Sequence, residues 1–133
     1  MNTPDKLSLI VFSGSFERVH YALVTAAAAA ATNLPVTLFF TMGASNALRP
    51  DGWKLLPNTE GMTNDIYQSR GVVGFEELLD ACIELGVTIM VCEMGLHALG
   101  LQSTDLRADI PITPGGLVTF LLDASAAGGM LFI

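Results

Sequence analysis

The chain has 133 residues, 51% of them hydrophobic, with six Lys plus Arg against thirteen Asp plus Glu and a formal net charge of −7. That length fits a single domain spanning residues 1–133, and the acidic balance argues against a sequence-independent grip on nucleic acid or on an acidic membrane surface. Two cysteines, with no charged-then-apolar leader at the start of the chain, suggest a reducing cytoplasm in which both thiols are free. The longest apolar stretch, Ala22 to Leu48, is broken by Thr32, Asn33 and Pro35, so no membrane span is expected.

Leu7 to Phe12 is an apolar run interrupted only by Ser8, the pattern of a strand buried on both faces of a parallel sheet. Ser13-Gly14-Ser15 ends it, and a helix is predicted from Phe16, with Ser15 as N-cap, Glu17 in the first turn and an alanine-rich second half. Pro35 to Thr41 reads as a second strand. Arg49 to Arg70 has little periodicity, contains Pro50, Gly52, Pro57 and Gly61, and reads as an irregular excursion: a lid, a binding loop, an oligomer contact, or a loop packed by its own large side chains. Gly74 to Leu85 carries Phe75, Leu78, Leu79 and Cys82 at helical spacing before Gly86 stops the helix. Val87 to Val91 is a third strand and Asp109 to Ile112 a short fourth. Thr113 is then expected to cap a helix with Pro114 at its first position, ending at Gly128-Gly129, and Met130 to Ile133 is a fifth strand. Strands alternating with helices in this way predict an open α/β sandwich of flavodoxin-like type, with five parallel strands in the order 2-1-3-4-5 and helices on both faces. In that order the loops after the first and third strands, Ser13 to Ser15 and Cys92 to Gly95, border one crevice.

Cys92 follows the third strand directly and precedes Glu93-Met94-Gly95-Leu96-His97, which can start a helix. A thiol at the carboxyl edge of a parallel sheet, facing a helix N-terminus, is placed to ionise and to attack or carry sulfur. Free Cys is also among the most buried residue types, so position alone leaves an inert packed thiol open. Cys82 lies in the helical stripe and reads as core. His97 could orient or protonate the thiol or be satisfied locally, as could His20 in the first helix. Glu93 works against a thiolate if it points at the sulfur, so it is expected to point away. Two His with no Cys/His cluster give no zinc pattern, and Asp51, Asp65 and Asp123 lack an acid/base spacing. No dinucleotide or phosphate-loop fingerprint is present, so no cofactor is implied and Ser13-Gly14-Ser15 is a weak anion-site candidate.

Phe39-Phe40-Thr41-Met42-Gly43-Ala44-Ser45-Asn46-Ala47-Leu48-Arg49, with Leu85-Gly86-Val87 leading through Val91-Cys92-Glu93-Met94 to Leu99-Gly100, resembles the DsrE/DsrF-like family, in the branch often labelled peroxiredoxin-like. The resemblance covers most of the chain. It implies a five-stranded parallel sheet flanked by helices, assembly as homotrimers or homohexamers, and relay of sulfane sulfur as a cysteine persulfide at Cys92, with sulfur-donor and sulfur-acceptor proteins as partners. This chain departs from the branch in having Gly95 where Ser or Thr is common, and His97 where an acidic or polar residue is common. A homo-oligomer is expected also from the surplus of apolar residues, with Trp53, Leu55 and Leu56 as exposed candidates. The expected function is a sulfur carrier or sulfurtransferase-like protein acting through Cys92, with Ser13, Gly14, Ser15, Glu93, Met94 and His97 as binding candidates. The alternatives are a small-molecule or nucleotide-binding domain using the Ser13-Gly14-Ser15 loop, and an assembly subunit without chemistry.

Overall fold

The structure is a computed structural model and describes residues 4–133. Five strands, β1 (Leu7–Val11), β2 (Val36–Phe40), β3 (Thr88–Cys92), β4 (Thr113–Gly115) and β5 (Gly129–Phe132), form one parallel sheet. The apolar runs form strands because both faces of the sheet are covered: all five residues of β2 are buried. Leu9, Val11, Leu38, Phe40, Ile89 and Val91 belong to the main core together with α1 (Phe16–Ala31) and α3 (Phe75–Glu84). Alternate residues, Phe39, Met90 and Cys92, point to the other face, where Phe120 of α5 (Leu117–Asp123) packs on them and its ring stacks on Phe39 at 4.8 Å.

The strand order is β4-β3-β2-β1-β5, which corrects the expected 2-1-3-4-5. The reason is where the helices lie. Crossovers between parallel strands are right-handed, so crossovers packed on the same face step the chain in the same direction across the sheet. The expected order needs α1 and α3 on opposite faces, but they pack side by side, with the Cys82 thiol donating to the Leu23 carbonyl at 3.4 Å. Strands one to four therefore line up consecutively. α5, on the opposite face, reverses direction and carries β5 back to the free side of β1, in register Leu7↔Gly129 to Ile10↔Phe132. The alanines of α1 permit this close approach: Ala22, Ala26 and Ala30 are all buried.

The C-terminal elements also differ in detail. Residues 109–112 do not form a strand: Arg107 donates through a bidentate fork to Asp109 and through a second pair of bonds to Glu76, which folds this segment onto α3. β4 starts at Thr113, so Pro114 sits in a strand instead of opening a helix, and the edge position tolerates its missing N–H. α5 begins at Leu117 after Gly116.

Residues 49–70 are held against α1 and α3 by partners outside the segment. A 3₁₀ turn (Gly52–Leu55) and α2 (Asn64–Ser69) fall within them. Trp53 stacks on Phe75 at 5.1 Å and donates its indole N–H to Glu76 at 2.8 Å. Trp53 and Leu56 are thereby buried, and of the three residues expected to be exposed only Leu55 is. The segment is tied to α1 by Glu17. Its carboxylate accepts from the backbone N–H groups of Thr59, Glu60 and Met62 and from the Ser15 hydroxyl. Ser15 occupies the N-cap position as expected, but its hydroxyl serves Glu17 and Thr59 and makes no capping bond.

Burial pushes the Glu17 carboxyl up, but the donors from its own backbone, Glu60, Met62 and Ser15 outweigh burial and hold it below the usual carboxylate range. Because the folded value lies below the unfolded one, this stabilisation is fully present above about pH 4.3 and is lost as pH falls through the folded value. Glu17→Gln is expected to lower the free energy of unfolding by roughly 1–3 kcal/mol at neutral pH. It should also flatten the acid limb of stability measured by denaturant titration. A variant with wild-type stability and an unchanged acid limb would show that the carboxylate does not tie the loop down.

Candidate functional site

Cys92 is the last residue of β3, paired with Gly115 of β4, and the N-cap of α4 (Glu93–Ala98). It lies at the carboxyl edge of the sheet, as expected. Its Sγ accepts the backbone N–H of Gly95 at 3.4 Å, a bond that stabilises a sulfur carrying negative charge. Gly95 is required by packing. A Cβ there would stand 2.5 Å from the Met42 backbone nitrogen and 3.2 Å from Thr41 Oγ1, so only glycine lets α4 rest on the segment that leaves β2. The place of a Ser or Thr is thus closed by backbone, and this close approach holds Cys92 Sγ and Thr41 beside the same residue.

Cys92 is 5% exposed, yet it forms part of the wall of a cavity of about 260 Å³ at the carboxyl edge. Ile10, Phe12, Phe39, Met42, Met94 and Phe132 supply most of the remaining wall. The cavity exists because the face opposite α1 and α3 is roofed by α5, whose seven residues leave the strand ends beyond Phe120 uncovered.

Of the residues singled out from the sequence, Met94 joins Cys92 in this cavity. Glu93 and His97 do not: both are exposed and line a separate cleft with Gln102 and Pro114. Glu93 is therefore kept off the sulfur, and His97 is not placed to orient or protonate it. Ser13, Gly14 and Ser15 line a third, larger cleft of about 550 Å³ with Asn46, Arg49 and Thr59. The expected shared crevice between residues 13–15 and 92–95 is not formed, because β2 lies between β1 and β3 and its following segment separates the two loops. Gly14 packs on the backbone of Gly43, and Gly95 on that of Met42. His20 is buried, its Nε2 bonded to the Val73 carbonyl at 2.8 Å, and it ties α1 to the segment before α3. Among the described residues no group of three or more His, Cys, Asp or Glu is placed to hold a metal ion, and no helix is long and apolar enough to cross a membrane.

Sequence reasoning missed Phe12, Thr41, Met42 and Phe132 as partners of Cys92. Three of them share one signal: Phe12 and Thr41 follow the last residues of β1 and β2 directly, and Phe132 ends β5. Met42 carries no such mark in the sequence, and its left-handed backbone, φ 48°, is seen only in the structure.

Cys82 has the opposite environment. It is fully buried between α1 and α3, and burial pushes its thiol up to about 11. Brief alkylation of the native protein at neutral pH, read by peptide mapping, should label Cys92 well before Cys82. Equal, slow labelling of both would show that the cavity gives no access to the Cys92 sulfur.

The comparisons with known proteins agree with this architecture. The chain is 26% identical to the uncharacterized protein YrkE of Bacillus subtilis, across 96% of each chain. In solved structures it is similar to a protein of unknown function, MTH1491, from Methanobacterium thermoautotrophicum, with a TM-score of 0.65, 13% identity and coverage of 96% of this chain and 98% of that one. It is similar also to the ychN protein from E. coli, with a TM-score of 0.58, 18% identity and coverage of 96% and 99%. At these identities the two structures speak for the fold alone. The family model for the DsrE/DsrF-like family matches residues 6–126, and with the Cys-Glu-Met segment at the end of β3 inside that span, the chain belongs to the DsrE/DsrF-like family.

Proposed function

We propose that the protein is a sulfur carrier, sulfurtransferase-like in its chemistry, in which Cys92 accepts a sulfane sulfur as a persulfide and passes it to an acceptor thiol. The observation that carries this reading is Cys92 itself: a free thiol at the carboxyl edge, in the wall of a cavity, its sulfur held by the Gly95 N–H. A thiolate attacking a sulfane sulfur takes that sulfur and expels a thiolate, and the same exchange in reverse delivers it. The N–H donor favours the charged sulfur at both stages. Membership of the family supports the reading, as does the contrast with Cys82, which has no path to solvent. The chemistry suits the reducing cytoplasm, with donor and acceptor proteins as partners. A small-molecule site in the cleft of Ser13, Ser15 and Arg49, without covalent chemistry, is a second reading, favoured by the size of that cleft and by a guanidinium with no acidic partner among the described residues.

Intact mass after incubation with a sulfane-sulfur donor distinguishes them. The wild type should gain one sulfur atom that a reductant removes, and Cys92→Ser should gain none. Unchanged mass in both would refute the carrier and leave the second reading.

We propose further that the chain assembles with copies of itself, as a trimer or hexamer, through α5 and β5. These elements carry a concentration of exposed apolar side chains: Val118 and Leu122 on the helix, Met130 and Leu131 on the strand, with Leu122 82% exposed. β5 is also an edge strand with one unpaired side. Light scattering at micromolar concentration should give a mass that is a multiple of 14.1 kDa, and Leu122→Glu should reduce it. A wild-type monomer would remove the assembly.

A further inference from the structure

The cavity at Cys92 constrains what can bring sulfur to it. Its wall holds no charged side chain: apart from the Cys92 thiol, the one polar side chain is that of Thr41. Thr41 is 8% exposed, and its hydroxyl has no hydrogen-bond partner among the described residues. Among the described residues only Ser45 Oγ is fully enclosed without a partner, so the Thr41 oxygen is not sealed off, and Thr41 is one of the residues that line the chamber. Thr41 Oγ1 also flanks Gly95, the residue whose N–H holds the Cys92 sulfur. A buried hydroxyl left unpaired beside a nucleophilic sulfur, in an otherwise apolar chamber, is a binding group without its ligand.

Resting on the carrier reading above, we infer that Cys92 takes its sulfur from the protonated form, R–S–SH, of an organic persulfide whose R group is apolar and uncharged, with that group lying among Phe12, Met42, Met94 and Phe132 while the Thr41 hydroxyl donates to the departing sulfur. The step balances without an oxidant or reductant. In Cys92–S⁻ plus R–S–SH, Sγ attacks the outer sulfur, an Sγ–S bond forms as the R–S–S bond breaks, and the electron pair leaves on R–S⁻, which takes up the proton that Cys92 released. The outer sulfur keeps its hydrogen, giving Cys92–S–SH and R–SH. A carrier whose R group bears a charge is disfavoured because the side chains of Phe12, Met42, Met94 and Phe132 offer that charge no polar partner in place of its lost water.

The test compares reagents of one reactivity and different charge on the full-length protein. Ethyl methanethiosulfonate and its anionic sulfonatoethyl analogue are each timed against Cys92 by mass spectrometry, with rates normalised to a small free thiol. The uncharged reagent is expected to be favoured by roughly a hundredfold. Phe132→Arg, at a residue 67% exposed on the rim, should restore much of the anionic rate. A ratio equal to that of the free thiol would overturn the inference. The inference requires that the assembly through α5 and β5 leave the chamber open beside Leu117 and Phe132, so rates for both reagents that fall as protein concentration rises would overturn it too, because the assembled copies would then seal the chamber. Loading from benzyl hydropersulfide should outpace loading from glutathione persulfide, and Thr41→Val should slow the former about tenfold. Equal loading from both donors overturns the apolar class while leaving the carrier intact. A reagent preference without loading from either donor upholds the chamber and refutes the carrier. An unchanged loading rate in Thr41→Val removes the hydroxyl from the inference.

Discussion

The packing of α1 against α3 on one face of the sheet is the constraint from which the rest of the structure follows. Alanines at 22, 26 and 30 let α1 approach closely, and Leu23 receives the Cys82 thiol across the seam. Right-handed crossovers on a shared face then order the strands consecutively, and the return through α5 places β5 beside β1. Two helices of sixteen and ten residues cover one face, while seven residues cover the other. That imbalance leaves apolar strand ends open at the carboxyl edge, and Cys92 stands among them.

The local geometry of Cys92 depends on a second close approach. Gly95 rests on the backbone of Met42, which brings the start of α4 down onto the segment leaving β2 and directs a backbone N–H at the sulfur. The same approach turns Glu93 and His97 toward a different cleft. The sulfur is thus served by a backbone dipole in apolar surroundings, with no side-chain acid or base beside it. The proposed exchange between sulfur atoms, in which one sulfur attacks as another leaves, asks less of such surroundings than chemistry that requires a positioned general base.

Much of this was legible in the sequence and some was not, for definable reasons. The apolar runs at Leu7, Val36 and Val87 identified three strands because parallel strands are buried on both faces. The stripe of Phe75, Leu78, Leu79 and Cys82 identified α3 and placed Cys82 in the core, where it lies. Strand order was not legible, since it depends on which face each helix takes. The alanine run was a clue to helix-on-helix packing, but composition does not say which helix is the neighbour. Residues 49–70 concealed their order because it rests on distant partners: Glu17 for the backbone of residues 59–62, Glu76 and Phe75 for Trp53. Cys92 could be read from its place after a strand, whereas Thr41 and Phe132 become its neighbours only when β2 and β5 take their places in the sheet.

A carrier must release what it accepts, and discharge therefore tests the account most directly. Wild-type protein loaded at Cys92 with radiolabelled sulfane sulfur, freed of donor and mixed with an excess of acceptor thiol, should lose the label to that thiol at a rate rising with its concentration, with the Cys92 thiol restored. Label that stays on the protein, or that leaves at a rate independent of the acceptor, would contradict a relay through Cys92.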